Sequence, residues 1–121
     1  MVKINDIPML SERHDFTLVF CTFLDDFKRS KNKVEMISEE PNKGILKDSD
    51  FCMLACAAHK LANDNGIEVP KWVFDEKYIM KKPCYAFDTK IAECQKFLRE
   101  TSPAEYSLRN LFYGTNVLMR V

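Results

Sequence analysis

Three side chains capable of metal or nucleophile chemistry stand at helical spacing: Cys52, Cys56 and His59, at i, i+4 and i+7. Thiolate and imidazole suit zinc, and this spacing places all three on one side of a helix. A closed zinc site takes four ligands, and the chain offers no second paired motif. Cys84 or Cys94 would have to reach the first three from elsewhere in the fold. The competing chemistry is a Cys–His nucleophile, Cys56 with His59 or His14, which requires an electropositive, partly open thiol. Both thiols flank the apolar stripe of their own helix, so a packed interior is the expected setting, with cysteine acting as a small hydrophobe. The sequence therefore assigns no catalytic residue, no metal and no cofactor, and the reading is of a protein that is not an enzyme. The five cysteines (Cys21, Cys52, Cys56, Cys84 and Cys94) are odd in number and include no Cys-x-x-Cys pair, which disfavours a disulfide scaffold or a zinc ribbon.

Other catalytic patterns are missing. The acids Asp25-Asp26, Glu39-Glu40 and Asp75-Glu76 are sequence neighbours, and neighbours on a helix point to different sides, so they make no acid–base couple. Three glycines cannot build a phosphate-cradling loop. A basic cluster of Lys28, Arg29, Lys31 and Lys33 could touch phosphates, with Lys77, Lys81 and Lys82 as a looser second group. The first cluster also sits at a helix end, flanked by Asp25, Asp26 and Glu35, and the 18 Lys+Arg balance 18 Asp+Glu. A zero net charge argues against a general nucleic-acid binder and against a polybasic membrane binder.

The elements that must position these residues are helical. Ser11 reads as an N-cap for a helix running to about Arg29, with Phe16, Val19, Phe20, Phe23, Leu24 and Phe27 as its apolar stripe. A short helix is expected over Lys33 to Glu39, with Val34 and Ile37 inward, ended by Pro41. Asp48, Ser49 and Asp50 open a central helix over about 49–64, whose alanines allow close helix approach, and Asn65-Gly66 stops it. Residues 67–87 break the period yet are strongly apolar. They read as an irregular segment wrapped over the core, anchored by Trp72, with a turn near Asp75–Tyr78. Asp88 or Thr89 caps a helix carrying Ile91, Cys94, Phe97 and Leu98, and Ser102-Pro103 restarts one that reaches about Asn110. Thr115 is expected to cap a last turn with Leu118 and Met119. Residues 1–9 show no period and read as a loosely held arm. The fold class is all-α: one compact, bundle-like domain of about five helices. No run of about eighteen apolar residues suggests a spanning helix, and the polar start of the chain does not resemble a secretion signal, so the expected compartment is the cytoplasm.

Nine Phe, four Tyr and one Trp are many rings for a chain of 121 residues. They concentrate in the last third with Arg109, and Trp, Tyr and Arg are the types that dominate interface hot spots. Trp72, Tyr85, Tyr106, Arg109 and Phe112 are accordingly the expected partner-binding residues. Self-association of copies stays open.

One resemblance bears on the same region. Ile67-Glu68-Val69-Pro70-Lys71-Trp72, Lys82-Pro83, Thr101-Ser102-Pro103-Ala104-Glu105-Tyr106, Arg109-Asn110-Leu111-Phe112 and Leu118-Met119-Arg120-Val121 together resemble a family of small bacterial antitoxin-like helical proteins. Members end on Ser-Pro-x-x-aromatic, a basic residue, Asn-aliphatic-aromatic and a closing Leu-x-Arg-Val. The resemblance implies a non-enzymatic protein that binds and neutralises a toxin partner, often a nucleotidyltransferase-like one encoded beside it. Many members carry a helix-turn-helix domain ahead of this region. The residues ahead of Ser11 leave no room for one, so operator binding is not implied. A nucleic-acid-associated regulator using Lys28, Arg29, Lys31 and Lys33 is the alternative.

Overall fold

The computed structural model describes residues 1–114 and residue 118. The fold is mostly helical, as expected, and its six α-helices among the described residues are joined by 3-10 turns and one pair of very short strands. The expected last turn from Thr115 lies mostly outside the described residues.

The first residues do not form a loose arm. A 3-10 turn over Ile4–Asp6 leads into α1 (Ile7–Leu10), and Ile4 and Ile7 are wholly buried. The Val2 amide donates to Asp26 Oδ2 at 2.8 Å, tying the chain start to the next helix. The segment is too short for a period to show, but two isoleucines and a proline suffice to seat it.

Helix α2 (Phe16–Arg29) starts later than Ser11, because Asp15 is its cap: Oδ2 accepts from the Leu18 amide. Ser11 instead closes α1, its hydroxyl donating to the Ile7 carbonyl. The expected stripe faces inward, with Phe16, Phe20, Phe23 and Phe27 forming a ladder of rings 5.7–6.2 Å apart. Helix α3 (Lys33–Ser38) is capped by Asn32, whose side-chain oxygen accepts from the Glu35 amide. It buries Met36 and Ile37, while Val34, expected inward, points to solvent.

Helix α4 (Asp48–Asp64) is the centre of the molecule. It buries Phe51, Cys52, Leu54, Ala55, Cys56, Ala57, Ala58 and Ala62. Gly66, with φ +64°, ends it: the Ile67 amide reaches back to the Ala62 carbonyl and the Gly66 amide to that of Asn63. These paired bonds need a left-handed residue, which glycine supplies without a Cβ clash. The following segment is irregular and wrapped over the core, with 3-10 turns at Lys71–Phe74 and Glu76–Tyr78. Trp72 anchors it by donating Nε1–H to the Ile37 carbonyl at 3.0 Å, with its ring edge-on to Tyr78. Tyr78 is fully buried and its hydroxyl donates to Glu40.

The chain then forms β1 (Cys84–Tyr85), which pairs in parallel with β2 (Leu111–Phe112), Cys84 opposite Leu111. Between the two strands run a turn over Ala86–Asp88, helix α5 (Ala92–Thr101) and the short α6 (Ala104–Ser107). This strand pair was not expected, and Ser102-Pro103 does less than a helix restart to Asn110: α6 ends at Ser107 and a turn reaches Asn110.

Candidate interaction surface

The three side chains with metal or nucleophile potential stay on one helix, and both Cys56 and His59 lie against Arg109. Cys52 and Cys56 sit in a small core cluster with Tyr106 and Leu111. Burial pushes their thiols up, to about 11 and about 12. Thiols so shifted stay protonated near neutral pH, so they are poor nucleophiles. His59 has its Nδ1 3.1 Å from a guanidinium nitrogen of Arg109 and its ring edge-on to Phe74. Among the described residues, no group of three or more His, Cys, Asp or Glu could hold a metal ion.

Two of the five expected contact residues lie in the interior. Arg109 is 1% exposed; its guanidinium donates to the carbonyls of Val73 (2.9 Å) and Glu105 (2.8 Å) and faces His59. It thereby joins α4, the 67–83 segment and α6 at one point, and it serves as a structural tie. Tyr106 is 0% exposed and its hydroxyl has no hydrogen-bond partner among the described residues. Interior placement overturns the reading of both as partner contacts: Arg109 finds backbone carbonyls to satisfy it inside, and Tyr106 fills the space over Cys56. Trp72, Tyr85 and Phe112 are half-buried. Tyr85 and Phe112 stack across the strand pair at 5.4 Å, and the Tyr85 hydroxyl accepts from Arg99 at 2.8 Å.

The basic cluster is partly committed. Arg29 pairs with the buried Asp26 at 2.6 Å. The Val2 amide, then Arg29, hold that carboxyl below its ordinary range. Lys33 donates to the Lys28 and Ser30 carbonyls and so caps the end of α2. Lys28 and Lys31 remain exposed. A concavity of about 840 Å³ runs between the loop before α4 and the Glu76–Tyr78 turn. Its charges partly neutralise one another, Lys77 with Glu40 and Lys43 with Asp48, and its thiol is the protonated Cys52.

An open apolar surface lies on α5 and the turn before it. No residue of α5 is buried. Phe97 is 63% exposed, Ile91 is 59% exposed and Phe87 is completely exposed. Cys94 is the one exposed cysteine of the five. Phe87 and Phe97 rim a groove of about 480 Å³ that Ala86, Cys94, Leu98 and Tyr113 also line. Phe87 and Asp88 both have positive φ, +60° and +51°. Such a backbone disfavours non-glycine residues by about 1–2 kcal/mol each, so the surrounding bonds must enforce it. They are present: Gln95 donates to the Thr89 carbonyl, the Thr89 hydroxyl accepts from the Ile91 amide, and Arg99 holds Tyr85. At the other end, Ser102 Oγ donates to the Leu98 carbonyl and accepts from the Gly114 amide. The groove is thus built on a fastened helix.

The sequence places Ile91, Cys94, Phe97 and Leu98 on one stripe and Phe87 among the aromatics of the last third, but neither Phe87 nor the stripe was expected to be a contact surface. The available signal was the density of charge on α5: Glu93, Lys96, Arg99 and Glu100 leave only a narrow face to bury.

No helix among the described residues is long and apolar enough to cross a membrane. Comparison with known proteins finds no family model, no curated protein and no solved structure that matches the chain.

Proposed function

We propose that this chain is a non-enzymatic protein-interaction module, antitoxin-like in action, that neutralises a partner protein by docking through the face formed by Phe87, Ile91, Cys94 and Phe97. The observation that carries this reading is Phe87: a completely exposed aromatic ring on a backbone in the left-handed region. A ring displayed at a conformational cost is what a contact residue looks like, and contiguous exposed apolar surface marks partner sites. The buried, protonated thiols support a non-catalytic role, as does the engagement of Arg109 with backbone carbonyls. The resemblance of the C-terminal half supplies the kind of partner, a nucleotidyltransferase-like toxin.

The test is co-expression with the product of the adjoining gene. The two proteins are expected to co-purify, and the Phe87→Glu/Phe97→Glu double variant is expected to fold, by circular dichroism, yet lose the partner. An undiminished complex in that variant, or no complex at micromolar concentration with the unaltered chain, contradicts the proposal.

A further inference from the structure

Resting on the reading of this face as a docking surface, we infer that its occupant is an amphipathic segment of the partner that carries bulky apolar side chains flanked by lysine or arginine. The inference comes from how charge is distributed around α5. Glu93, Phe97 and Glu100 stand at i, i+4 and i+7 and so follow one stripe of the helix. Glu93 lines the groove itself, and Glu100 lies one turn beyond Phe97 on the same side. Both carboxylates are exposed, and neither belongs to any ion pair among the described residues. Lys96 stands one turn from each and pairs with neither.

Apart from Lys96, the nearby cations are engaged elsewhere. Lys82 and Lys90 line a separate concavity with Tyr85 and Gln95, and Arg99 is committed to the Tyr85 hydroxyl. The groove therefore has apolar walls with Glu93 at its edge and Glu100 one turn further along, and among the described residues Lys96 is the one cation beside them. Burying Phe97 under a partner would bring Glu93 and Glu100 under it as well. An unpaired carboxylate at a closed interface is unfavourable, whereas a basic group placed over it steers the encounter and offsets that loss. A second copy is the poorer occupant. Two α5 helices packed antiparallel around Phe97 bring the Glu93–Glu100 flank of one against the same flank of the other, setting like charges together. The groove volume suits one or two bulky side chains, and its open shape suits a helix laid along it.

Two synthetic helical peptides test this. One carries leucine along one face with lysine on both flanks; the other is the same peptide with glutamate in place of lysine. Binding is read by anisotropy of dye-labelled peptide and, independently, by protection of Cys94 from a thiol reagent. The lysine-flanked peptide is expected to bind, to slow Cys94 labelling and to weaken as salt rises. The Glu93→Lys/Glu100→Lys variant is expected to bind it about tenfold more weakly. Equal or better binding of the glutamate-flanked peptide, indifference to the Glu93→Lys/Glu100→Lys change, or no binding of either peptide overturns the inference. Its failure is separable from that of the proposed function. A complex with the neighbouring gene product that survives Glu93→Lys/Glu100→Lys but is lost with Phe87→Glu/Phe97→Glu overturns only the basic-flanked occupant.

Discussion

Helices α2 and α5 are built on the same plan and used in opposite ways. Each carries an apolar stripe at steps of three and four, with a basic residue in its last turn. In α2 the stripe closes onto α1, α3 and α4, and Phe20, Phe23 and Phe27 vanish from the surface. In α5 no side chain is buried and the comparable ring, Phe97, stands in solvent beside Phe87. The difference lies in the neighbours. Helix α2 is tied into the main core by Val2, Ile4 and Ile7, whereas α5 leans mainly on the two-residue strand β2 and is fastened by polar bonds at its ends. An amphipathic pattern thus reports that a helix has something to cover. It does not report whether the cover is the chain's own core or another molecule.

The widest separation between the two regions is expected from one pair of substitutions. Phe23→Ala on α2 removes a wholly buried ring and is expected to destabilise by about 3–5 kcal/mol. Phe97→Ala on α5 is expected to leave stability within about 0.5 kcal/mol. Urea unfolding of both variants reads the contrast, and comparable losses would erase the distinction between a helix that builds the core and one that displays a surface.

A smaller effect comes from the joint between the regions. Burial, and then the charge of Arg109, hold His59 below its ordinary value, so the folded state binds its proton less readily than the unfolded chain. The resulting stability is complete above the unfolded value of about 6.5 and is lost as pH falls from there through the folded value. Asp26, held low by Val2 and Arg29, contributes in a separate window: its share is present above about pH 4 and is lost as pH falls through its folded value. His59→Gln, which keeps an acceptor for Arg109, is expected to flatten the mildly acidic slope and leave the strongly acidic one. Thermal melts across pH measure both, and an unchanged slope near pH 6 would remove His59 from the account.

The smallest effect has the opposite sign. Phe87→Gly relieves a left-handed aromatic residue and is expected to stabilise the free protein by about 1 kcal/mol while weakening the complex. A loss of stability would instead make the Phe87 ring part of the scaffold.

Much of the fold was legible in the sequence because long helices announce themselves by period and by their ends. The α2 stripe, the central helix to Gly66 and the Trp72 anchor all follow from local residue chemistry. Residues 1–9 were not legible, since a single turn of helix has no measurable period. The strand pair was not legible either: it joins Cys84 to Leu111 across an excursion that includes two helices, and two residues per strand carry no alternation. Val34 and Phe97 show the same limit as α5 as a whole, since apolar residues at helical spacing do not say which way they face. Hot-spot residue types misled for Tyr106 and Arg109, because an arginine surrounded by backbone carbonyls and a tyrosine over cysteine are as well housed inside as at an interface.

The central claim is that the free protein displays the Phe87–Phe97 face and that a partner covers it. Hydroxyl-radical footprinting of the free chain and of its complex measures this directly. Oxidation of Phe87 and Phe97 is expected to be heavy in the free protein and sharply reduced in the complex, with Phe23 and Tyr106 silent in both. Rings already protected in the free chain, or unaffected by the partner, would contradict the account.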